Sequence, residues 1–272
     1  MKNLHARVPS QCAVCRSWPA QPLCEACVVR FAQPQARCRT CAIPVTSDIL
    51  QCGTCLLNPP PLDACLAAVA YEFPWSRLIV EFKFRARPGW ATSFATLLRS
   101  TPWVEPALEQ ANLLIPMPLS ELRLRERGFN QALELARQLV PAKVDHRLLL
   151  RILDTPAQSA LKRDQRLRNV QDAFAVEPLH AGRLAGSKLV LIDDVMTSGA
   201  SLHSAAKTLR AAGASHITGI VLARAEFIQG PEGLSRRAAP QANGTAVHRT
   251  QISERALSRD NAAHVSHCSG RA

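Results

Sequence analysis

Aromatic residues make up only 5% of the chain, with a single tyrosine. A protein that gripped nucleic acid mainly by stacking bases on rings would carry more. No apolar run approaches the roughly 18 to 20 residues that a membrane-spanning helix needs. The opening MKNLHARVPS also lacks the apolar stretch of a signal peptide. These absences point to a soluble, cytoplasmic protein with no membrane span. Acidic residues are in deficit: 33 Lys and Arg face 21 Asp and Glu, giving a formal charge of +12. Such a field favours polyanionic partners such as nucleic acid, phosphorylated metabolites or an anionic surface. With 47% hydrophobic and 20% charged residues, 272 residues can bury the core of one medium domain plus a smaller companion.

Cysteine is abundant but confined. Eight of the ten fall before residue 56, all in CxxC pairs: Cys12/Cys15, Cys24/Cys27, Cys38/Cys41 and Cys52/Cys55. Each pair puts two sulfurs on one tight knuckle, and two knuckles complete a four-thiolate zinc site, so four predict two Zn²⁺ ions. Metal would supply the folding free energy that a short segment with few large apolar side chains could not draw from a core. A redox dithiol set or an iron–sulfur cluster are the rival readings, but four matched knuckles exceed what a dithiol enzyme needs. Sequential pairing of neighbouring knuckles is expected, although spacing alone also permits interleaving. Cys65 reads as a core residue and Cys268 as an exposed tail thiol.

After Cys55, Asn58-Pro59-Pro60-Pro61 reads as a stiff linker, which places a boundary near residue 61. Residues 62–73 are apolar enough for a strand, and 75–84 bring Leu78, Ile79 and Phe82 to one helical face. From residue 112, short apolar runs alternate with helical segments, the pattern of a parallel sheet with crossover helices. The predicted elements are strands at 113–115, 148–153, 173–176, 189–192 and 216–223, with helices at 131–139 and 201–212. Three organisational units follow: a double zinc ribbon over 1–61, an α/β domain over 62–226, and a tail over 227–272. The tail lacks any period and is expected to be disordered.

The segment LVLIDDVMTSGAS, residues 189–201, has a chemical logic of its own. Four apolar residues carry a strand to the carboxyl edge of the sheet, where open α/β folds bind ligands. Asp193 and Asp194 then offer carboxylates to vicinal hydroxyls. Thr197, Ser198, Gly199, Ala200 and Ser201 are small enough for backbone amides to approach a phosphate at the next helix start. One ligand bearing a ribose diol and a terminal phosphate satisfies both halves. Upstream, IPMPLSELRLRERGFNQA (115–132) spaces Arg123, Arg125 and Arg127 alternately, which suits a loop reaching towards diphosphate; a solvated basic helix start is the alternative. TPAQSALKRDQRLRNVQDAF (155–174) is a polar excursion long enough to be a lid.

The 189–201 segment resembles the phosphoribosyl pyrophosphate (PRPP) signature of type I phosphoribosyltransferases. The whole order of motifs resembles the ComF family (ComFC and GntX-like proteins), in which a double zinc ribbon precedes a type I phosphoribosyltransferase-like domain with a parallel sheet. The features are the four CxxC pairs, CLLNPPP, YEFPWSRLIVEFKF, 115–132, 155–174 and 189–202, which together span about residues 12–225. The tail departs from the family pattern. By this resemblance Asp193 and Asp194 would hold the ribose hydroxyls while Thr197, Ser198, Gly199, Ala200 and Ser201 wrap the 5′-phosphate. Arg127 and Arg168 would be the catalytic basic groups, and Lys83, Pro116, Arg123, Gly128, Asn130, Gln131, Thr155, Gln158 and Asn169 would line the pocket. Mg²⁺ would accompany the PRPP diphosphate. The resemblance also implies a link to natural competence, with handling of single-stranded DNA and contact with other DNA-uptake proteins.

Two functions remain in view. An active transferase would displace pyrophosphate from PRPP through an oxocarbenium-like transition state, with purely structural zinc, but no residue pattern identifies its acceptor base or nucleotide. A PRPP-binding protein would instead hold single-stranded DNA on ribbon arginines such as Arg16, Arg30, Arg37 and Arg39, by charge rather than stacking.

Overall fold

A computed structural model describes residues 10–18, 21–85, 87–153 and 173–225. Its centre is a four-stranded parallel sheet in the order β1-β6-β5-β2, formed by β1 (Ala64–Ala70), β2 (Leu113–Pro116), β5 (Lys188–Met196) and β6 (His216–Arg224). Side chains alternate between the two faces. In β5, Leu189 and Leu191 join one apolar cluster while Val190 and Ile192 join the other. Burial on both faces explains why these strands read as continuous apolar runs rather than as an alternating pattern.

On one face lie α3 (Trp75–Phe84), α4 (Trp90–Arg99), α5 (Val104–Gln110) and α7 (Gln131–Leu139). Trp75, Phe82 and Phe94 are among its largest fully buried side chains, each contributing about 1.5–3 kcal/mol by burial. The other face is covered by α8 (Ala200–Ala211) and by a separate two-stranded ribbon, β3 (Leu149–Arg151) with β4 (Phe174–Val176). These last two strands were expected in the parallel series. Instead they pair antiparallel with each other, an arrangement that, unlike a parallel pair, needs no helical crossover.

The cysteine-rich segment contributes to both faces. Residues from its first half, including Ala13, Leu23, Val28 and Phe31, pack into the α3/α4 cluster; Cys38, Cys41, Ala42 and Cys55 of the second half join the α8 cluster. Direct bonds fasten both halves. Trp75 Nε1 donates to Phe31 O at 2.8 Å, Arg77 Nη2 to Ala13 O at 3.0 Å, and the Cys65 amide to Arg39 O at 2.7 Å. The two cysteine modules therefore grip the β1 side of the sheet from opposite faces. Among the described residues, no helix is long and apolar enough to cross a membrane. The 227–272 tail and Cys268 lie outside the described residues.

Candidate functional site

The two cysteine modules repeat one geometry. Cys12, Cys15, Cys24 and Cys27 form one cluster and Cys38, Cys41, Cys52 and Cys55 the other, each with its sulfurs within 4.8 Å of one another. Neighbouring knuckles thus pair sequentially. In each module the third cysteine precedes a short helix, α1 (Glu25–Phe31) or α2 (Gly53–Leu57), and its amide donates to the first sulfur, Cys24 to Cys12 at 3.4 Å and Cys52 to Cys38 at 3.3 Å. The residue after each second cysteine, Arg16 or Ala42, is left-handed, with φ of 66° and 55°. Sulfurs 3.6 Å (Cys15–Cys24) and 3.7 Å (Cys41–Cys52) apart match the edge of about 3.8 Å of a tetrahedral zinc–thiolate site. The donors therefore fit one Zn²⁺ per cluster.

The second centre lies at the carboxyl edge of the sheet. β5 does not stop at the aspartates, as the sequence suggested, but runs through them to Met196, since Asp193 and Val195 still pair with β6. Asp194 is buried and its Oδ1 lies 2.8 Å from Lys83 Nζ of α3. Asp193 accepts the Asp194 amide on Oδ1 at 2.8 Å. Its pKa is pushed up to about 7 by desolvation and by the Asp194 carboxylate, against the opposing pull of Lys83 and Arg127.

Beyond Met196 the chain turns through Thr197, Ser198 and Gly199 into α8. Gly199 has φ +81°, and a Cβ there would meet Met196 Cε at 2.5 Å and His203 Nε2 at 2.9 Å. Only glycine fits. The amides of Thr197, Ser198 and Gly199 have no acceptor among the described residues, whereas that of Ala200 donates to Ser198 Oγ at 3.4 Å. Free amides at the start of a twelve-residue helix form an anion cradle. Ala200 and Ser201 open that helix.

The 115–132 segment is a correction. Arg123, Arg125 and Arg127 lie on a helix, α6 (Glu121–Arg127), capped by Ser120, whose side chain accepts the Arg123 amide, and ended by Gly128 at φ +77°. The helix wins because a serine cap, an acidic first turn and a C-terminal glycine all favour it. Arg125 points outwards to an exposed Glu121 at 3.3 Å, but Arg127 turns inwards. Its guanidinium lies over the Phe84 ring at 5.2 Å and donates to Gln131 at 2.9 Å, while its Nε is buried without a partner among the described residues. Asn130 donates to Met117 O at 3.0 Å, next to Pro116 of β2, and accepts the Leu133 amide at 3.2 Å. Gln131 is buried and also donates to Phe129 O at 3.3 Å. Asn130 and Gln131 thus hold the turn and Arg127 in place. Thr155, Gln158, Arg168 and Asn169 lie outside the described residues.

One residue escaped the sequence reading. Arg224, the last residue of β6, is buried, and its Nε donates to Cys41 O at 2.7 Å. Its Nη1 donates to Met196 O at 3.2 Å, to Thr197 O at 2.5 Å and to Ala225 O. One guanidinium therefore joins a cysteine knuckle to the anion cradle. Its charge adds to the burial that lowers the His203 pKa to about 4, which leaves that imidazole neutral beneath Gly199. The available signal was an arginine closing the apolar run HITGIVLAR.

A family model described as phosphoribosyl transferase domain matches residues 124–247. The chain is 30% identical to the DNA utilization protein YhgH of Salmonella typhimurium over 174 residues, covering 60% of this chain and 72% of that protein. It is 30% identical to competence protein F of Haemophilus influenzae over 178 residues, 62% of this chain and 76% of that protein. The chain belongs to the ComF family. It is also 37% identical to competence protein ComFC of Bacillus subtilis over 128 residues, 47% of this chain and 50% of that protein. The parallel sheet and the two four-cysteine clusters give this ComF-family chain the expected architecture, a phosphoribosyltransferase-like α/β domain with a double zinc ribbon.

Elemental analysis of the purified protein should find two zinc ions per chain, and Cys38→Ser or Cys15→Ser should each remove one; full metal content in either variant contradicts the cluster assignment. Arg224→Met keeps an apolar stem but removes every donor. It should lower unfolding free energy by about 2–4 kcal/mol and speed amide exchange at residues 197–201, with zinc retained, in denaturation and exchange measurements.

Proposed function

We propose that this ComF-family chain binds PRPP with Mg²⁺ at the β5–α8 junction and serves DNA uptake and natural competence by handling single-stranded DNA in the cytoplasm. The observation that carries the pocket is the pairing of three amides without an acceptor among the described residues, Thr197 to Gly199, with a carboxylate pair neutralised from one side by Lys83. Relatives named for DNA utilization and for competence support the cellular role.

Each group has a defined task in this reading. The 5′-phosphate sits on the free amides, helped by the positive end of α8 and by the Arg224 charge behind Thr197. The ribose 2′ and 3′ hydroxyls donate to Asp193 and Asp194. Lys83 pairs with Asp194 at 2.8 Å and offsets part of the repulsion between the two adjacent carboxyl groups. Mg²⁺ accompanies the diphosphate. Arg127 Nε, buried and without a partner among the described residues, offers a donor to that diphosphate. The same unpartnered donor favours a second reading, in which the departing pyrophosphate is stabilised during transfer to an acceptor. Arg168, Thr155, Gln158 and Asn169, which lie outside the described residues, and contacts with other DNA-uptake proteins belong to the same proposal.

Protonation gives this reading a test with a definite sign. In the free protein Asp193 titrates near 7, well above an ordinary carboxyl group. Ribose binding favours the ionised acceptor, so PRPP should release a proton near neutrality and bind more tightly as pH rises from about 5.5 to 7.5. Calorimetry in buffers of different ionisation enthalpy counts that proton, and the part due to Asp193 is the difference between the native chain and Asp193→Asn. The same shift means that the folded state binds the extra proton, so this group's contribution to stability falls as pH rises between about 4 and 7. Asp194→Asn should abolish PRPP binding while the fold survives. Unaltered affinity in that variant would overturn the ribose assignment, and release of pyrophosphate with an added base or strand would select the transferase reading.

A further inference from the structure

A cleft of about 490 Å³ lies outside the β5–α8 site, between the first cysteine module and α3. Its lining includes Arg16 from the knuckle, Tyr71 from the end of β1, and Arg77, Val80, Glu81 and Arg85 from α3. Arg77, Glu81 and Arg85 recur at i, i+4 and i+8, so one stripe of the helix faces the cleft. The single carboxylate is already engaged, with Glu81 lying 3.7 Å from Arg77 and 3.8 Å from Arg87. The Arg16 and Arg85 guanidiniums are exposed and have no partner among the described residues. Three guanidiniums and one carboxylate thus line a concavity that also holds the chain's only tyrosine.

Position adds to composition. Tyr71 follows β1 directly, and its amide donates to Arg224 O at 2.9 Å. It therefore stands at the same carboxyl edge as the anion cradle, two strands along in the order β1-β6-β5, about 10 Å away at the usual strand spacing. The same helix that lines the cleft sends Lys83 to Asp194. A ligand in the cleft would lie beside the proposed PRPP pocket without sharing its residues. Free guanidiniums beside one ring suit a phosphate joined to an aromatic base.

We propose that this cleft holds one nucleotide unit of a single strand, with the phosphate on Arg16 and Arg85 and the base against Tyr71. The proposal deepens the strand-handling role given above and rests on that reading for its class of partner. It also assigns the first zinc module a direct task, that of presenting Arg16. The left-handed turn at Arg16 (φ 66°) that closes the knuckle fixes where its side chain departs.

The test uses the full zinc-loaded chain and a fluorescein-labelled oligothymidylate, titrated over a range of salt. Arg16→Glu/Arg85→Glu should weaken binding at least about tenfold and lower the slope of log affinity against log salt by about 0.7, the worth of the one phosphate they hold on a single strand. Tyr71→Leu should weaken it several-fold without changing that slope. Both variants should keep full zinc content and native PRPP affinity, since Arg16, Tyr71 and Arg85 supply neither a thiolate nor a cradle amide. Thymidine monophosphate competing as well as the oligonucleotide would assign the cleft to free nucleotides. A monomer that fails to compete, while the variants weaken the strand, would assign it to the polymer. Oligonucleotide affinity and salt slope unchanged in the double variant would overturn the proposal. Loss of PRPP binding in Asp194→Asn is independent of that result, so the two sites can fail separately.

Discussion

Two adjacent carboxylates near the carboxyl end of a buried strand repel each other and lose solvation, and the rest of the site is arranged around that constraint. Lys83 reaches Asp194 at 2.8 Å, Asp193 accepts its neighbour's amide, and the charge of Arg127 offsets part of the remaining penalty. What is left appears as an Asp193 carboxyl titrating near 7. A surface pair would cost little and hold little. Here the acids are kept polar by fixed partners and stay available to hydroxyl donors, which is the preorganisation that recognition of a sugar diol requires. The helix that brings Lys83 exists because Trp75, Leu78, Ile79 and Phe82 bury its other side.

The cysteine modules take on meaning from the same edge. Each packs on a different face of the sheet, and the second reaches the anion cradle through Arg224, whose donors end on Cys41, Met196 and Thr197 carbonyls. A buried guanidinium answered by carbonyl dipoles is a costly device unless it holds something in place. It fixes the turn that precedes Gly199, the position where any side chain would collide with Met196 and His203. Integrity of the second cluster and geometry of the cradle are therefore physically connected, and Cys65, packed with its sulfur 3.6 Å from Met196 Sδ, fills the space between them.

Much of this was legible in the chain, and the reasons are local. The helices 75–84 and 131–139 fall where periodicity put them, the latter with Asn130 as its cap. The β5–α8 turn was readable because aspartates followed by small residues and a glycine have few other uses at a strand end. Four CxxC pairs announced two metal sites, and the fold settled their pairing. The arginines of α6 misled because alternate spacing in sequence says nothing about which of them a seven-residue helix turns inwards. β3 and β4 were placed in the wrong sheet because short apolar runs carry no record of their partner. Arg224, Tyr71 and Arg16 gain their significance from neighbours far away in sequence, which no window of residues reveals.

The most direct test is a crystal structure of the zinc-loaded chain with PRPP and Mg²⁺. The account predicts the monoester phosphate within hydrogen-bond reach of the Thr197, Ser198 and Gly199 amides, with the ribose hydroxyls on Asp193 and Asp194. Density for the ligand at another place, or a fully soaked crystal with the Lys83–Asp194 edge untouched, would contradict it.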